Sequence, residues 1–203
     1  MKRMMLVFGF ALLSLALVHG QGYKVGDKAS DFKLKNVDGK MVSLKDYSKA
    51  KGFVVVFTCN NCPYAKAYQD RLIELDKAYK AKGYPVIAIN SNDPSLSPED
   101  SYDKMIVRAK EKNYSFPYLF DETQEVYRSY GAQKTPHTYL LKKEGNAMVV
   151  KYIGAIDDNY QDPSQIENKY LSNAIDAVIA GNEPQPAMTK AIGCGIKDKT
   201  KKT

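Results

Sequence analysis

Two cysteines stand two residues apart in "FTCNNCPY", with a proline directly behind the second. Cys59 and Cys62 at this spacing suit three kinds of chemistry: a structural disulfide, a metal site or an electron-transfer couple. A disulfide closing so short a loop removes little chain entropy, so stapling the fold is the poorest use of the pair. Cys59 and Cys62 with Cys194 and His137 would form a Cys3His set suited to zinc or copper(I), and metal carriage stays open on residue types alone. Exchange chemistry asks for less. At the amino end of a helix the free N–H groups favour a thiolate, and a second sulfur one turn away can attack the mixed disulfide that the first has formed.

The flanking residues supply that setting. Residues 53–57, "FVVVF", form a continuous β-branched and aromatic run, as expected of a strand buried on both faces. Ala65, Tyr68, Leu72, Leu75 and Tyr79 then recur at helical spacing, and Gly83 follows as a stop. Pro63 suits the first turn of this helix, having no N–H to lose there. "PVIAIN" predicts a second buried strand, so strand, helix and strand form a right-handed parallel crossover.

Further along, Ser97 and Pro98 open a helix predicted to run to about Lys112. "FPYLF" reads as a strand or an extended connector, and a brief helix ends at Gly131. "HTYLLKK" and "AMVVKYI" form a hairpin around Glu144-Gly145-Asn146, and a last helix begins near Asp162-Pro163 and stops at Gly181. In front, "DFKLKNVDGKMVSL" makes a hairpin at Asp38-Gly39. These elements give an α/β chain with a central mixed sheet, helices on both faces, an N-terminal hairpin and a helical insertion.

Strand, Cys-x-x-Cys, helix, strand and then "KTPHTYLL" opening an antiparallel hairpin resemble the thioredoxin fold. That resemblance implies that Pro136 is cis beside the cysteines and that the Thr135 backbone pairs with a substrate peptide. The front hairpin, the helical insertion, Cys62-Pro63 and the ending "IGCGIK" are similar to the redoxin (AhpC/TSA) branch, in particular to exported peroxiredoxin-like proteins with Cys-x-x-Cys. The implied activity is thiol–disulfide oxidoreduction through Cys59 and Cys62, with a protein client and an upstream electron donor as partners and no bound cofactor. By the thioredoxin pattern Cys59, nearer the helix tip, is the exposed nucleophile and Cys62 the resolving thiol. The peroxiredoxin pattern reverses them, making Cys62 the peroxidatic sulfur. Two features depart from that pattern: Cys59 stands where the peroxide-orienting threonine or serine would be, and Val55 where the upstream proline would be. His137 and Cys194 are candidate auxiliaries, Cys194 either as a third exchange partner or as a tail thiol with no role.

The ends bound the address. Residues 1–20 carry Lys2 and Arg3, an apolar run from Met4 to Val18 and a small Gly20, the pattern of a secretory signal peptide. The run is short for a bilayer span, so stable membrane insertion is not expected and the product is expected to be exported, periplasmic or secreted. Residues 22–182 would then be one redoxin domain and 183–203 a lysine-rich tail holding Cys194. Of the net charge of +7, Lys2 and Arg3 contribute two. The terminal lysines have no aromatic platform, so no nucleic-acid partner is expected.

Overall fold

The structure, a computed structural model, describes residues 22–200, so the predicted signal peptide lies outside the described residues. β1 (Lys28–Ala29), β2 (Lys33–Asn36) and β3 (Met41–Ser43) precede the central β4 (Gly52–Phe57). α1 (Pro63–Tyr79) and β5 (Val86–Asn90) complete the crossover, with β4 and β5 parallel. α2 (Tyr102–Glu111), β6 (Tyr118–Phe120), α3 (Glu125–Tyr130) and β7 (Lys134–Thr135) follow. β8 (His137–Glu144) and β9 (Ala147–Gly154) form the expected hairpin, and α4 (Tyr170–Ile179) and β10 (Cys194–Gly195) close the chain. The eight-stranded mixed sheet has the order β1-β9-β8-β4-β5-β6-β2-β3, and β10 pairs with β7 in a separate two-stranded sheet.

Side chains of β4 alternate between two apolar layers. Val54 and Val56 meet Tyr68, Leu72 and Leu75 of α1, Met105 of α2, and Leu171, Ile175 and Val178 of α4. Phe53, Val55 and Phe57 face the other way, against Phe32, Leu44, and Tyr127 and Tyr130 of α3. Each such buried side chain contributes about 1.5–3 kcal/mol. The frame that carries the cysteines is therefore held by packing rather than by a two-residue disulfide loop.

Gly83 ends the turn after α1 at φ +97°, where a β-carbon would be strained. Two helices begin later than their sequence signals. Residues 98–100 make a single 3-10 turn, then Ser101 is extended and α2 starts at Tyr102. The break turns Asp100 inward, where it is fully buried, and Ser97 donates to its carboxylate instead of capping a helix. Likewise Asp162 caps a 3-10 turn at 163–165, separated from α4 by an extended stretch. The third difference is the C-terminal segment. Expected from sequence as a lysine-rich tail beyond the domain, it packs along the domain: Thr189 Oγ1 accepts from Ala155 N at 3.0 Å, Ile196 is buried, and Asp198 pairs with Arg128 at 3.0 Å.

Candidate active site at the tip of α1

β4 delivers the chain to Thr58, and five residues later α1 begins at Pro63. Both cysteines lie in this connection, 3% and 4% exposed, packed against Ala65 with Tyr64 and Cys194 at the edge. The Thr135–Pro136 bond is cis, as the thioredoxin resemblance implies. Thr135 stands between the sulfurs. Cys59 Sγ donates to Thr135 Oγ1 at 3.2 Å, and Cys62 Sγ lies 3.0 Å from the Thr135 carbonyl oxygen, which accepts from it. One residue of β7 thus holds both thiols of the motif.

The sulfurs are unequal. α1 starts at Pro63, so Cys62 is its N-cap and Cys59 lies outside the helix tip. The Cys62 thiol is lowered to about 4, first by the hydrogen bond from Cys59 and further by Cys194 and by the Ala65 N–H in the first turn. Cys194 N–H also donates to Cys62 Sγ at 3.3 Å. Cys59 is pushed up, first by its hydrogen bond with Cys62, then by burial and by the negative charge of Asp100. The contact between the two sulfurs thus lowers Cys62 and raises Cys59.

Asp100 is the positioning residue that sequence reading missed. Its Oδ1 accepts from the backbone N–H groups of Asn60 at 2.6 Å and Asn61 at 3.2 Å, the two residues between the cysteines. Its Oδ2 accepts from Asn92 Nδ2 at 2.7 Å and Ser97 Oγ at 2.6 Å. Asn60 in turn donates to Glu99 O at 2.8 Å and accepts from Tyr118 OH at 3.0 Å. A buried carboxylate with four donors is a rigid clamp, and here it fixes the loop that sets the sulfur-to-sulfur geometry. The signal available was an acidic residue after Ser97-Pro98, which reads equally as a helix start.

His137 is not brought to the cysteines. It pairs with Phe57 across β4 and β8, its ring sits 4.9 Å from that of Tyr139, and Nδ1 accepts from Gln133 N at 3.3 Å. Loss of solvent around the ring lowers it to about 4, so it stays neutral near pH 7. The foreseen Cys3His set is not assembled, and among the described residues no three His, Cys, Asp or Glu side chains group to hold a metal. Cys194 does reach the site, through the pairing of β10 with β7. Asp157 belongs to the scaffold: its carboxylate accepts from Arg71 at 2.7 Å and Tyr68 OH at 2.7 Å, tying α1 to the loop after β9.

The sequence pattern of the AhpC/TSA family matches residues 25–151. A thiol-disulfide oxidoreductase ResA of Oceanobacillus iheyensis is 31% identical over 140 residues, covering 67% of this chain and 69% of that protein. The crystal structure of an uncharacterized conserved protein from Geobacillus kaustophilus superposes with a TM-score of 0.80 at 37% identity, covering 88% of this chain and 94% of that one. A putative thiol:disulfide interchange protein DsbE from Chlorobium tepidum shares the fold, with a TM-score of 0.52 at 24% identity over 63% of this chain and 84% of that one.

Proposed function

This chain belongs to the AhpC/TSA family and has a thioredoxin-like fold, and we propose that it is a thiol–disulfide oxidoreductase working through Cys59 and Cys62 on protein clients. The observation that carries the reading is the contact of both sulfurs with Thr135 at the tip of α1, one acidified and one protonated. In the reducing direction the Cys62 thiolate attacks a client disulfide sulfur, forming a mixed disulfide and expelling the client's other sulfur as a thiolate. Cys59 Sγ then attacks Cys62 Sγ, its proton passing to the departing client thiolate. The client leaves with two thiols, and the chain keeps a Cys59–Cys62 disulfide for an upstream dithiol to reduce. Thr135 Oγ1, which now accepts from Cys59, holds that sulfur beside its target.

Export belongs to the same reading. It rests on the signal-like residues 1–20 and agrees with the finding that, among the described residues, no helix is long and apolar enough to cross a membrane.

Insulin reduction driven by dithiothreitol tests the activity. The wild type accelerates it, Cys62→Ser abolishes it, and Cys59→Ser, which can form no 59–62 disulfide, slows it. A wild type that leaves the uncatalysed rate unchanged refutes the proposal. A second reading draws on the acidity of Cys62: it would attack a peroxide, giving a sulfenic acid that Cys59 condenses to a disulfide with release of water. Peroxide consumption without insulin reduction would select it.

A further inference from the structure

The backbone beside the two sulfurs is already occupied. β10 runs antiparallel to β7, with Cys194 opposite Thr135 and Gly195 opposite Lys134. An extended segment laid along a strand edge is how sheets recruit peptides: the backbone supplies affinity and alternate side chains drop into neighbouring space. Here the segment is the chain's own, and its side chain at the sulfur position is a thiol.

The placement is built in on both sides. Upstream, Thr189 N–H donates to Ile153 O at 3.0 Å and Thr189 Oγ1 bonds Tyr152 OH at 2.5 Å. Downstream, Lys197 N donates to Asn92 Oδ1 at 2.8 Å, and Asp93 N donates to Lys197 O at 2.9 Å. Between them Gly193 lies so close to β7 that a β-carbon there would stand 2.3 Å from Thr135 O. The Cys194 N–H reaches Cys62 Sγ at 3.3 Å, which puts the Cys194 Cα within about 4.8 Å of that sulfur. Burial and the neighbouring Cys62 hold the Cys194 thiol up to about 11, so it is a proton carrier beside a thiolate.

We propose that Cys194 is a third redox residue, and that β10 is a built-in client strand through which the Cys59–Cys62 disulfide isomerises to a Cys62–Cys194 disulfide. This rests on the exchange function proposed above. The Cys194 sulfur attacks Cys62 Sγ, the 62–194 bond forms, the 59–62 bond breaks, and its electron pair leaves on Cys59 Sγ, which takes up the proton that Cys194 gave up. No net oxidation occurs. The rearranged form carries a free Cys59 and a tail covalently fixed over β7, so a client strand is excluded until a dithiol donor opens the bond. Oxidation of the pair thereby shuts the peptide edge as well as the sulfurs.

The test uses the full chain carrying Cys59→Ser, reduced and then exposed to oxidised glutathione. Glutathionylated Cys62 should be resolved by Cys194, releasing glutathione. Peptide mapping without reductant should show a Cys62–Cys194 cross-link in a monomer, with loss of both alkylatable thiols. Cys59→Ala repeats the experiment, and acid-quenched wild type oxidised in the same way should contain both the 59–62 and 62–194 bonds. A stable glutathione adduct on Cys62 with Cys194 still alkylatable, in a protein whose wild type reduces insulin, overturns the third-residue proposal alone. A wild type that forms no Cys59–Cys62 disulfide and reduces no insulin sinks the exchange function and this inference with it.

Discussion

Gly193 offers the sharpest perturbation, because the space its missing side chain leaves can be read directly. The β-carbon of Gly193→Ala would lie 2.3 Å from Thr135 O, 2.7 Å from Thr135 C and 3.2 Å from Pro136 N, all backbone atoms that cannot swing aside. Ordinary contact begins near 3.5 Å, so the tail must retreat from β7 by roughly 1.2 Å. Moved directly outward, the Cys194 N–H would pass from 3.3 Å to about 4.5 Å from Cys62 Sγ, beyond hydrogen-bonding reach. Overpacking of this kind costs about 1–3 kcal/mol. If that cost falls on the seated tail alone, the open fraction rises roughly 5- to 150-fold.

The assay is the rate of iodoacetamide alkylation at Cys62 in the reduced chain, resolved by peptide mapping. Gly193→Ala should raise that rate within this range, since Cys62 is nearly buried while the tail is seated. Losing one N–H donor raises the Cys62 pKa, yet a thiol starting near 4 stays ionised at pH 7. Gly195→Ala is the control, because nothing lies within 4 Å of its β-carbon, and it should alkylate at the wild-type rate. Equal Cys62 rates in the wild type and Gly193→Ala, with unchanged thermal unfolding, would show that β10 does not cover the sulfur and refute the reasoning.

Three further expectations concern the pair and its support. Alkylation of Cys62 in the reduced protein should keep its rate down to about pH 5 and fall near pH 4; a midpoint near 9 would mean that Cys62 is not the thiolate. Since the folded pKa of Cys62 lies below its unfolded value of 9.0, the native state binds fewer protons between those limits. Its contribution is fully present above pH 9, declines as pH falls and is gone below about 4. The reduced wild type should therefore lose stability relative to Cys62→Ser on going from pH 8 to pH 5 in urea titrations, and a constant gap would contradict the assignment. Asp100→Asn turns one of two acceptors, Oδ1 facing Asn60 or Oδ2 facing Asn92, into a donor; it should destabilise the chain by roughly 1.5–3 kcal/mol and, by removing the charge, lower the Cys59 pKa. Unfolding within about 0.5 kcal/mol of wild type would show that the clamp is not needed.

The parts of this site that were readable in sequence are those set by local pattern. The continuous apolar run of residues 53–57 and the helical spacing from Ala65 to Tyr79 both follow from burial, so the strand, the helix and the cysteines between them could be placed from the pattern alone. Pro63 even marked the helix start that makes Cys62 the N-cap. The role of Asp100 and the strand that seats Cys194 were hidden for a different reason. Asp100 is turned inward by partners up to forty residues away, Asn60 and Asn61 among them, and nothing in "SLSPED" distinguishes a clamp from a helix cap. β10 is two residues long and pairs only with the two residues of β7, so its conformation comes from the edge it meets and not from its own propensity. The flanking Gly193 and Gly195 carried the one local trace of it, since glycine beside a cysteine marks a place where backbone can approach backbone. Only Gly193 uses that freedom, and it does so against the residue that holds both active sulfurs. The tail is thus best understood as part of the redox site, sharing Thr135 with the cysteines it covers.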